Sequence, residues 1–236
     1  VRSRSEAILA LRAGVDLIDI KEPRVGSLGA APSSVIREIV SLCSGKVPLS
    51  VALGELLTAE AECELPAAAG IRFVKLGLAG CRAEHDWHQR WDRRIERLSG
   101  PTAAVAVIYA DWLTAGAPPP TEVLAHAVRT GCRAVLLDTF DKSQGSLFAH
   151  LSLGQVTDLI GDIHRLGLPA VVAGSLSVPM SGQLIDAGAD CVAFRGAACR
   201  GGRTGSVDAV LLGKIVRAVR NRVANGDCLA QRFVGA

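Results

Sequence analysis

Residues 15–30, VDLIDIKEPRVGSLGA, decide how the rest of the chain is interpreted. The apolar run over 15–20 predicts a buried strand, and the Glu-Pro pair and glycines that follow predict a loop. Lys21 lies at the last position of that strand. A buried lysine needs a charged partner or a chemical role, because removing its ammonium from water is costly. We therefore interpret Lys21 as an amine nucleophile at the mouth of a barrel.

The composition excludes several classes of protein. The 236 residues carry a formal charge of +3 from scattered basic residues without interleaved aromatics, which argues against nucleic-acid binding. The sequence has no apolar run of about 18 residues and no secretory leader at its start, so no membrane segment is expected. Seven cysteines without a CxxC pair indicate a reducing compartment. We expect a cytoplasmic protein.

Short apolar runs alternate with segments of helical period along the whole chain. Seven strands are predicted, at 15–20, 47–53, 71–78, 102–110, 134–140, 169–174 and 190–196. Eight helices are predicted, at 5–14, 31–43, within 55–69, 84–98, 121–131, 154–167, 179–188 and 206–223. This order favours a single-domain (β/α)8 TIM barrel over 1–236, with the first strand truncated or nearly absent. A flavodoxin-like sheet needs only about five strands and is disfavoured.

Lysine is scarce in this chain, which makes its positions informative. Only five of the 26 basic residues are lysines, at positions 21, 46, 75, 142 and 214. Three of them, Lys21, Lys75 and Lys142, fall at or just beyond predicted strand ends, where barrel enzymes carry their active sites. Unlike arginine, lysine can lose its proton and act as a base or form a Schiff base.

Two aspartates accompany these lysines. Asp19 and Lys21 are two residues apart on one strand and share a face. Asp138 and Lys142 also share a face if the strand at 134–140 stays extended past residue 140. Converging lysines lower one another's pKa through burial and like-charge repulsion. The simpler alternative for each lysine is a surface side chain or an ion pair. Lys21, Lys75, Asp19, Asp138 and Lys142 are the predicted catalytic residues.

Glycine-rich loops after the last two strands predict a phosphate site. Barrels commonly bind phosphate there through backbone N–H groups and a helix N-terminus. The predicted ligands are Gly174, Ser175, Arg195, Gly196 and Ala197, with Arg200 and Arg203 as supplements; flexible loops without a ligand are the alternative. His85 and His88 share a helical face, but no third ligand is visible, so no metal site is predicted.

Several motifs in chain order resemble one known family. These are Asp19-Ile20-Lys21-Glu22-Pro23, Gly26-Ser27-Leu28-Gly29-Ala30, Val74-Lys75, Leu137-Asp138-Thr139, Lys142 and Ser146-Leu147-Phe148. The chain resembles (5-formylfuran-3-yl)methyl phosphate synthase, also called 4-(hydroxymethyl)-2-furancarboxaldehyde-phosphate synthase. The resemblance spans essentially the whole chain and is most specific in the first motif.

The resemblance implies a cofactor-free barrel enzyme. It condenses two glyceraldehyde 3-phosphate molecules into a phosphorylated furan, with loss of phosphate and water, for methanofuran-type one-carbon carriers. It implies that Lys21 forms the Schiff base and Lys75 accepts a proton, while Lys142, Asp19 and Asp138 line the pocket. Two alternatives stay open: a class I aldolase or dehydratase acting on another sugar phosphate, and a non-catalytic barrel that binds a phosphorylated metabolite. The expected partner is a small phosphorylated substrate, and a homo-oligomer is expected.

Overall fold

The computed structural model describes residues 1–58, 70–98 and 102–224. In these ranges seven parallel strands form one curled sheet in which each strand pairs with the next along the chain. The strands are β1 (Ile18–Ile20), β2 (Leu49–Glu55), β3 (Ile71–Gly77), β4 (Ala103–Tyr109), β5 (Ala134–Asp138), β6 (Ala170–Val172) and β7 (Cys191–Val192). All seven match strands predicted from the sequence.

Helices separate the strands and cover the sheet on its outside. They are α1 (Arg4–Ala13), α2 (Ser33–Cys43), α3 (Trp87–Glu96), α4 (Pro120–Arg129), α5 (Leu153–Arg165), α6 (Val178–Asp186) and α7 (Ala209–Ala224). The helix predicted within 55–69 falls mostly outside the described residues. A small antiparallel pair, β8 (Cys199–Arg200) and β9 (Ser206–Val207), lies between β7 and α7.

The sheet forms an incomplete barrel, as a nearly absent first strand predicts. In the described part of the chain, β7 and β1 do not pair with each other. The backbone of Val1 lies beside β1: its amine donates to the Asp19 carbonyl at 2.5 Å, and the Lys21 N–H donates to the Val1 carbonyl at 3.0 Å. The two hydrogen bonds lie on either side of Ile20, as hydrogen bonds do between neighbouring parallel strands. The barrel-class α/β fold is confirmed, and one domain over 1–236 stays a prediction.

Alternation along each strand separates two apolar layers. On β3, Val74 and Leu76 face the helices and belong to the outer layer, whereas Phe73 belongs to the interior of the barrel. The interior layer is built from small and medium side chains, with Val107 and Tyr109 on β4 and Leu136 on β5. Because successive side chains point to opposite faces of a strand, Lys75 shares the interior face with Phe73. The apolar pattern therefore fixes which polar residues enter the barrel.

Candidate active site

The predicted catalytic residues meet at the carboxyl end of the sheet. Asp19 and Lys21 come from the end of β1, Lys75 from β3, and Asp138 and Lys142 from the end of β5 and the loop after it. All but Lys75 line a cavity of about 420 Å³. Lys75 lies beneath it, 8% exposed.

Lys75 is held by a carboxylate and a hydroxyl. Its Nζ donates to Asp19 Oδ1 at 2.5 Å and to Ser50 Oγ at 3.1 Å. Burial alone would raise the pKa of Asp19, but the ammonium groups of Lys75 and Lys21 outweigh it and lower that pKa to about 2. Asp19 is therefore a carboxylate at neutral pH and is positioned to exchange a proton with Lys75.

Lys142 is held by Asp138, although by a different route from the predicted one. Strand β5 ends at Asp138, and Lys142 opens a 3₁₀ turn over Lys142–Gln144, so an extended strand past residue 140 was the wrong geometry. The turn still brings Lys142 Nζ to 2.5 Å from Asp138 Oδ1 and 2.9 Å from Thr139 Oγ1. Burial opposes ionisation of Asp138, yet Lys142 and Lys21 lower its pKa.

Lys21 differs from the other two lysines in its surroundings. Its Nζ donates to the Ser27 carbonyl at 3.2 Å, and among the described residues no carboxylate oxygen lies within ion-pairing distance of it. Burial lowers the pKa of Lys21 to about 8; Asp138 and Asp19 oppose the shift, and Lys75 assists it. The sequence analysis predicted the lowered pKa of Lys21 in the correct direction, but burial contributes more to the shift than the like charges do. This lowered pKa makes the neutral amine of Lys21 available for nucleophilic attack.

The loop that follows Lys21 folds back over the mouth. The Glu22 N–H donates to the Gly29 carbonyl at 2.8 Å, which closes the loop on itself. Residue 29 must be glycine, because a Cβ there would overlap the Glu22 carbonyl oxygen. Ser27, buried and not singled out from the sequence, donates through Oγ to the Thr139 carbonyl at 2.8 Å. This contact joins the loops after β1 and β5 across the site.

The loops predicted to bind phosphate also border the cavity. Gly174, Ser175, Gly196 and Ala197 line it. Ser175 has φ of 51° and is the one non-glycine residue with positive φ in the described ranges, a strain that clusters at ligand sites. Gly196–Ala198 form a 3₁₀ turn, whose first amides lack partners within the turn.

The side chain of Arg195 is committed to the fold. Its guanidinium contacts Glu6 at 2.5 and 3.1 Å and the carbonyls of Arg203 and Gly205 at 3.1 and 2.9 Å. Arg200 is exposed and pairs with Asp208. Arg195 also lines the cavity, and phosphate binding by its side chain stays a prediction.

Arg203 reaches the loop that follows β1. It lines the cavity and donates to the carbonyls of Pro23 and Gly26. These bonds tie the loop after β7 to the loop that covers Lys21. Phosphate binding at the loop after β7 stays a prediction.

Sequence reasoning missed a second polar pair in the mouth. Glu55, at the end of β2, accepts hydrogen bonds from Tyr109 Oη at 2.6 Å and from the Ala79 N–H at 3.0 Å. Burial raises the pKa of Glu55, whereas the Tyr109 bond opposes the shift. Tyr109 is the one tyrosine of the chain and the last residue of β4.

Other functional features were also sought among the described residues. They contain no group of three or more His, Cys, Asp or Glu side chains that is arranged to hold a metal ion. His88 stacks on Trp87 and lies 3.4 Å from Glu122, and His85 precedes α3 rather than sharing its face. No helix in the described ranges is both long and apolar enough to cross a membrane.

Comparison with known families agrees with this geometry. The model of the family described as 4-HFC-P synthase matches residues 1–216. The chain belongs to this family.

Two archaeal members of the 4-HFC-P synthase family illustrate the similarity. A (5-formylfuran-3-yl)methyl phosphate synthase of Methanopyrus kandleri is 33% identical over 227 residues, covering 92% of this chain and 95% of the relative. The protein of the same name from Methanobrevibacter smithii is 32% identical over 207 residues, covering 85% and 87%. These relatives are named as synthases, which indicates that this member of the family is an enzyme.

Solved structures support the fold assigned to this 4-HFC-P synthase family member. Thiamine phosphate pyrophosphorylase from Pyrococcus furiosus aligns with a TM-score of 0.59 at 15% identity, over 94% of this chain and 89% of that one. Phosphoribosyl anthranilate isomerase from Thermotoga maritima aligns with a TM-score of 0.58 at 13% identity, over 94% and 96%. At these identities the similarity concerns the fold alone.

Proposed function

We propose that the protein condenses two molecules of glyceraldehyde 3-phosphate into (5-formylfuran-3-yl)methyl phosphate, releasing phosphate and water. It acts as a carbon–oxygen lyase on phosphates, through a Schiff base on Lys21. The observation that carries the proposal is the contrast among three lysines. Lys75 and Lys142 are ion-paired, whereas Lys21 lies half-buried beside them and has a pKa lowered to about 8. An amine with such a pKa is available as a nucleophile near neutrality.

The first steps follow from the arrangement of these groups. Lys21 Nζ attacks the aldehyde carbon of one triose phosphate; a C–N bond forms and the carbonyl oxygen leaves as water, giving an iminium. Lys75 first passes a proton to Asp19 across their short hydrogen bond. As a neutral amine it then takes the proton from the adjacent carbon, and the C–H electron pair moves into the iminium to form an enamine. The iminium supplies the electron sink that other enzymes obtain from a cofactor.

The later steps join the two substrates. The enamine attacks the carbonyl of the second triose phosphate and a C–C bond forms. Loss of phosphate, ring closure and dehydration then give the aromatic furan. Asp138 and Lys142 border the same cavity and are proposed to carry protons in these steps, and the backbone at Ser175, Gly196 and Ala197 is proposed to hold a phosphate group. The family resemblance leads us to propose methanofuran-type carriers as the fate of the product.

Product analysis with Lys21→Ala tests this proposal. Wild-type protein given glyceraldehyde 3-phosphate alone is expected to form a furan chromophore and free phosphate, and Lys21→Ala neither. Borohydride added with substrate should attach covalent mass at residue 21. An adduct on a different lysine would overturn the assignment, and a simple aldol product would favour an aldolase. Binding without turnover, unaffected by Lys21→Met, would favour a non-catalytic barrel. A homo-oligomer and a cytoplasmic location stay predictions.

A further inference from the structure

The Glu55–Tyr109 pair lies in the mouth of the barrel but has no role in the steps proposed above. Strict alternation along β2, with Ser50 and Ala52 facing the interior, would turn residue 55 toward the helices. The pairing of β2 with β3 shifts register between Ala52 and Glu55. Irregularities of this kind re-aim side chains. The shift turns Glu55 inward, where its carboxyl reaches Tyr109.

Gly77 makes this position possible. Gly77 ends β3, between β2 and β4, and pairs in register with Glu55. A Cβ at residue 77 would overlap the Glu55 carboxylate, so the missing side chain is the space that the carboxyl occupies. The hydrogen bond from Tyr109 therefore spans β3 across a gap that only glycine leaves. The ends of β2, β3 and β4 thus fix the position of the Glu55 carboxyl, whereas a surface glutamate needs no such support.

The charges around Glu55 connect it to the predicted catalytic residues. Tyr109 is the register partner of Asp138 in the β4–β5 pairing. Around Glu55 lie Tyr109 on β4, Asp138 at the end of β5, Lys142 beyond β5 and the Cys81 thiol beyond β3. Burial, followed by the charges of Glu55 and Glu84, raises the pKa of Cys81 to about 12, so this thiol stays neutral. Glu55 is half-buried and is the last residue of β2, at the carboxyl end of the sheet.

We propose that Glu55, held by Tyr109 and by the gap at Gly77, is the acid that protonates the carbonyl oxygen of the second triose phosphate. This inference rests on the function proposed above. When the enamine carbon on Lys21 bonds to the carbonyl carbon, the C=O π pair moves to oxygen. The Glu55 O–H bond breaks, its proton goes to that oxygen, and the iminium on Lys21 is restored. Glu55 is left as a carboxylate and regains its proton from solvent water.

The raised pKa of Glu55 agrees with this role, because a carboxyl group must be protonated to donate. Activity should then fall as the pH rises through the pKa of Glu55. Removing the Tyr109 hydroxyl removes a hydrogen bond that favours the carboxylate, so the pKa of Glu55 rises further. Tyr109→Phe is therefore expected to move this loss of activity to higher pH.

Three variants separate this role from the formation of the Schiff base. Glu55→Gln keeps the shape, since its amide can accept from Ala79 and donate to Tyr109. Gly77→Ala displaces the Glu55 carboxyl but leaves the glutamate itself in place. Both are expected to lower furan formation by about 10²- to 10⁴-fold, the usual effect of losing a general acid. Both should retain borohydride trapping at Lys21 and exchange of the substrate α-proton in D₂O. Glu38→Gln, on the exposed face of α2, is the matched control.

The outcomes distinguish the two proposals. If wild-type protein gives neither a Lys21 adduct nor a furan, the proposed function fails. If wild type makes the furan and Glu55→Gln does so within about three-fold, the role of Glu55 is refuted while the function stands. The role of Glu55 is also refuted if the loss of activity at high pH persists in Glu55→Gln and does not move in Tyr109→Phe. Loss of trapping together with loss of furan formation in a folded Glu55→Gln protein would make Glu55 part of the Lys21 environment and also overturn the inference.

Discussion

The reactivity of Lys21 toward aldehydes should depend on pH in a way that reports its surroundings. Only the neutral amine attacks a carbonyl. With a pKa of about 8, roughly 9% of Lys21 is neutral at pH 7, against about 0.03% for a lysine at its ordinary value of 10.5. The structure therefore predicts about 300-fold faster imine formation at pH 7 than at an ordinary lysine of equal access.

Reductive trapping across pH measures this prediction directly. Glycolaldehyde phosphate is a suitable probe because it has no phosphate that can be lost by β-elimination. The rate of covalent labelling at residue 21, followed by peptide mass spectrometry, should rise about tenfold per pH unit below pH 8 and level off above it. Labelling of the exposed Lys214 in the same sample reports the background reaction. A rate at residue 21 that still climbs tenfold per unit above pH 9 would refute the argument.

A companion variant tests the cause of the shift. Lys142→Met removes a like charge and releases Asp138 from its ion pair, and both changes favour the ammonium form of Lys21. The pH at which the labelling rate at residue 21 levels off should therefore be higher in this variant. A shift to lower pH would mean that the charges named here do not set the pKa of Lys21.

The remaining predictions concern the proton acceptor and the covering loop. Lys75→Met should leave trapping at Lys21 but reduce furan formation by about 10²- to 10⁴-fold, because the proton acceptor is gone; unchanged turnover would exclude that role. The same variant should raise the pKa of Asp19 from about 2, which NMR titration of its carboxyl carbon can follow. Gly29→Ala should destabilise the loop by roughly 1–3 kcal/mol through overlap with the Glu22 carbonyl, measured by urea unfolding. An unfolding midpoint equal to wild type would show that the loop relaxes without cost.

The strands and the paired lysines were predictable from local pattern. Period-two alternation places Asp19 and Lys21 on one face, and the apolar neighbours of Lys75 turn it into the barrel. Both inferences use residues close in sequence, which is the range over which a pattern is reliable. Lys142 shows the limit: it was predicted to share a side with Asp138 on an extended strand, but the chain makes a turn there.

The features of the site that were not predicted from the sequence depend on contacts between distant residues or on irregular backbone. The position of Glu55 results from a register shift between β2 and β3, which leaves no mark in the alternation of apolar residues. The ion pair of Arg195 with Glu6 joins residues 189 apart in the chain, and no local pattern in the sequence indicates it. Ser27 lies inside the second of the family motifs, yet its contact with Thr139 forms only when the sheet curls.

The register of β3 has a consequence for folding fidelity. Lys75 enters the barrel only because Val74 and Leu76 face the helices. A slip of one residue would exchange these faces and press an ammonium into the apolar layer beneath the helices, away from Asp19. The penalty of several kcal/mol would fall on the misaligned state alone. The lysine proposed to move a proton in the finished enzyme thus also discriminates, during assembly of the sheet, between the correct alignment and its nearest competitor.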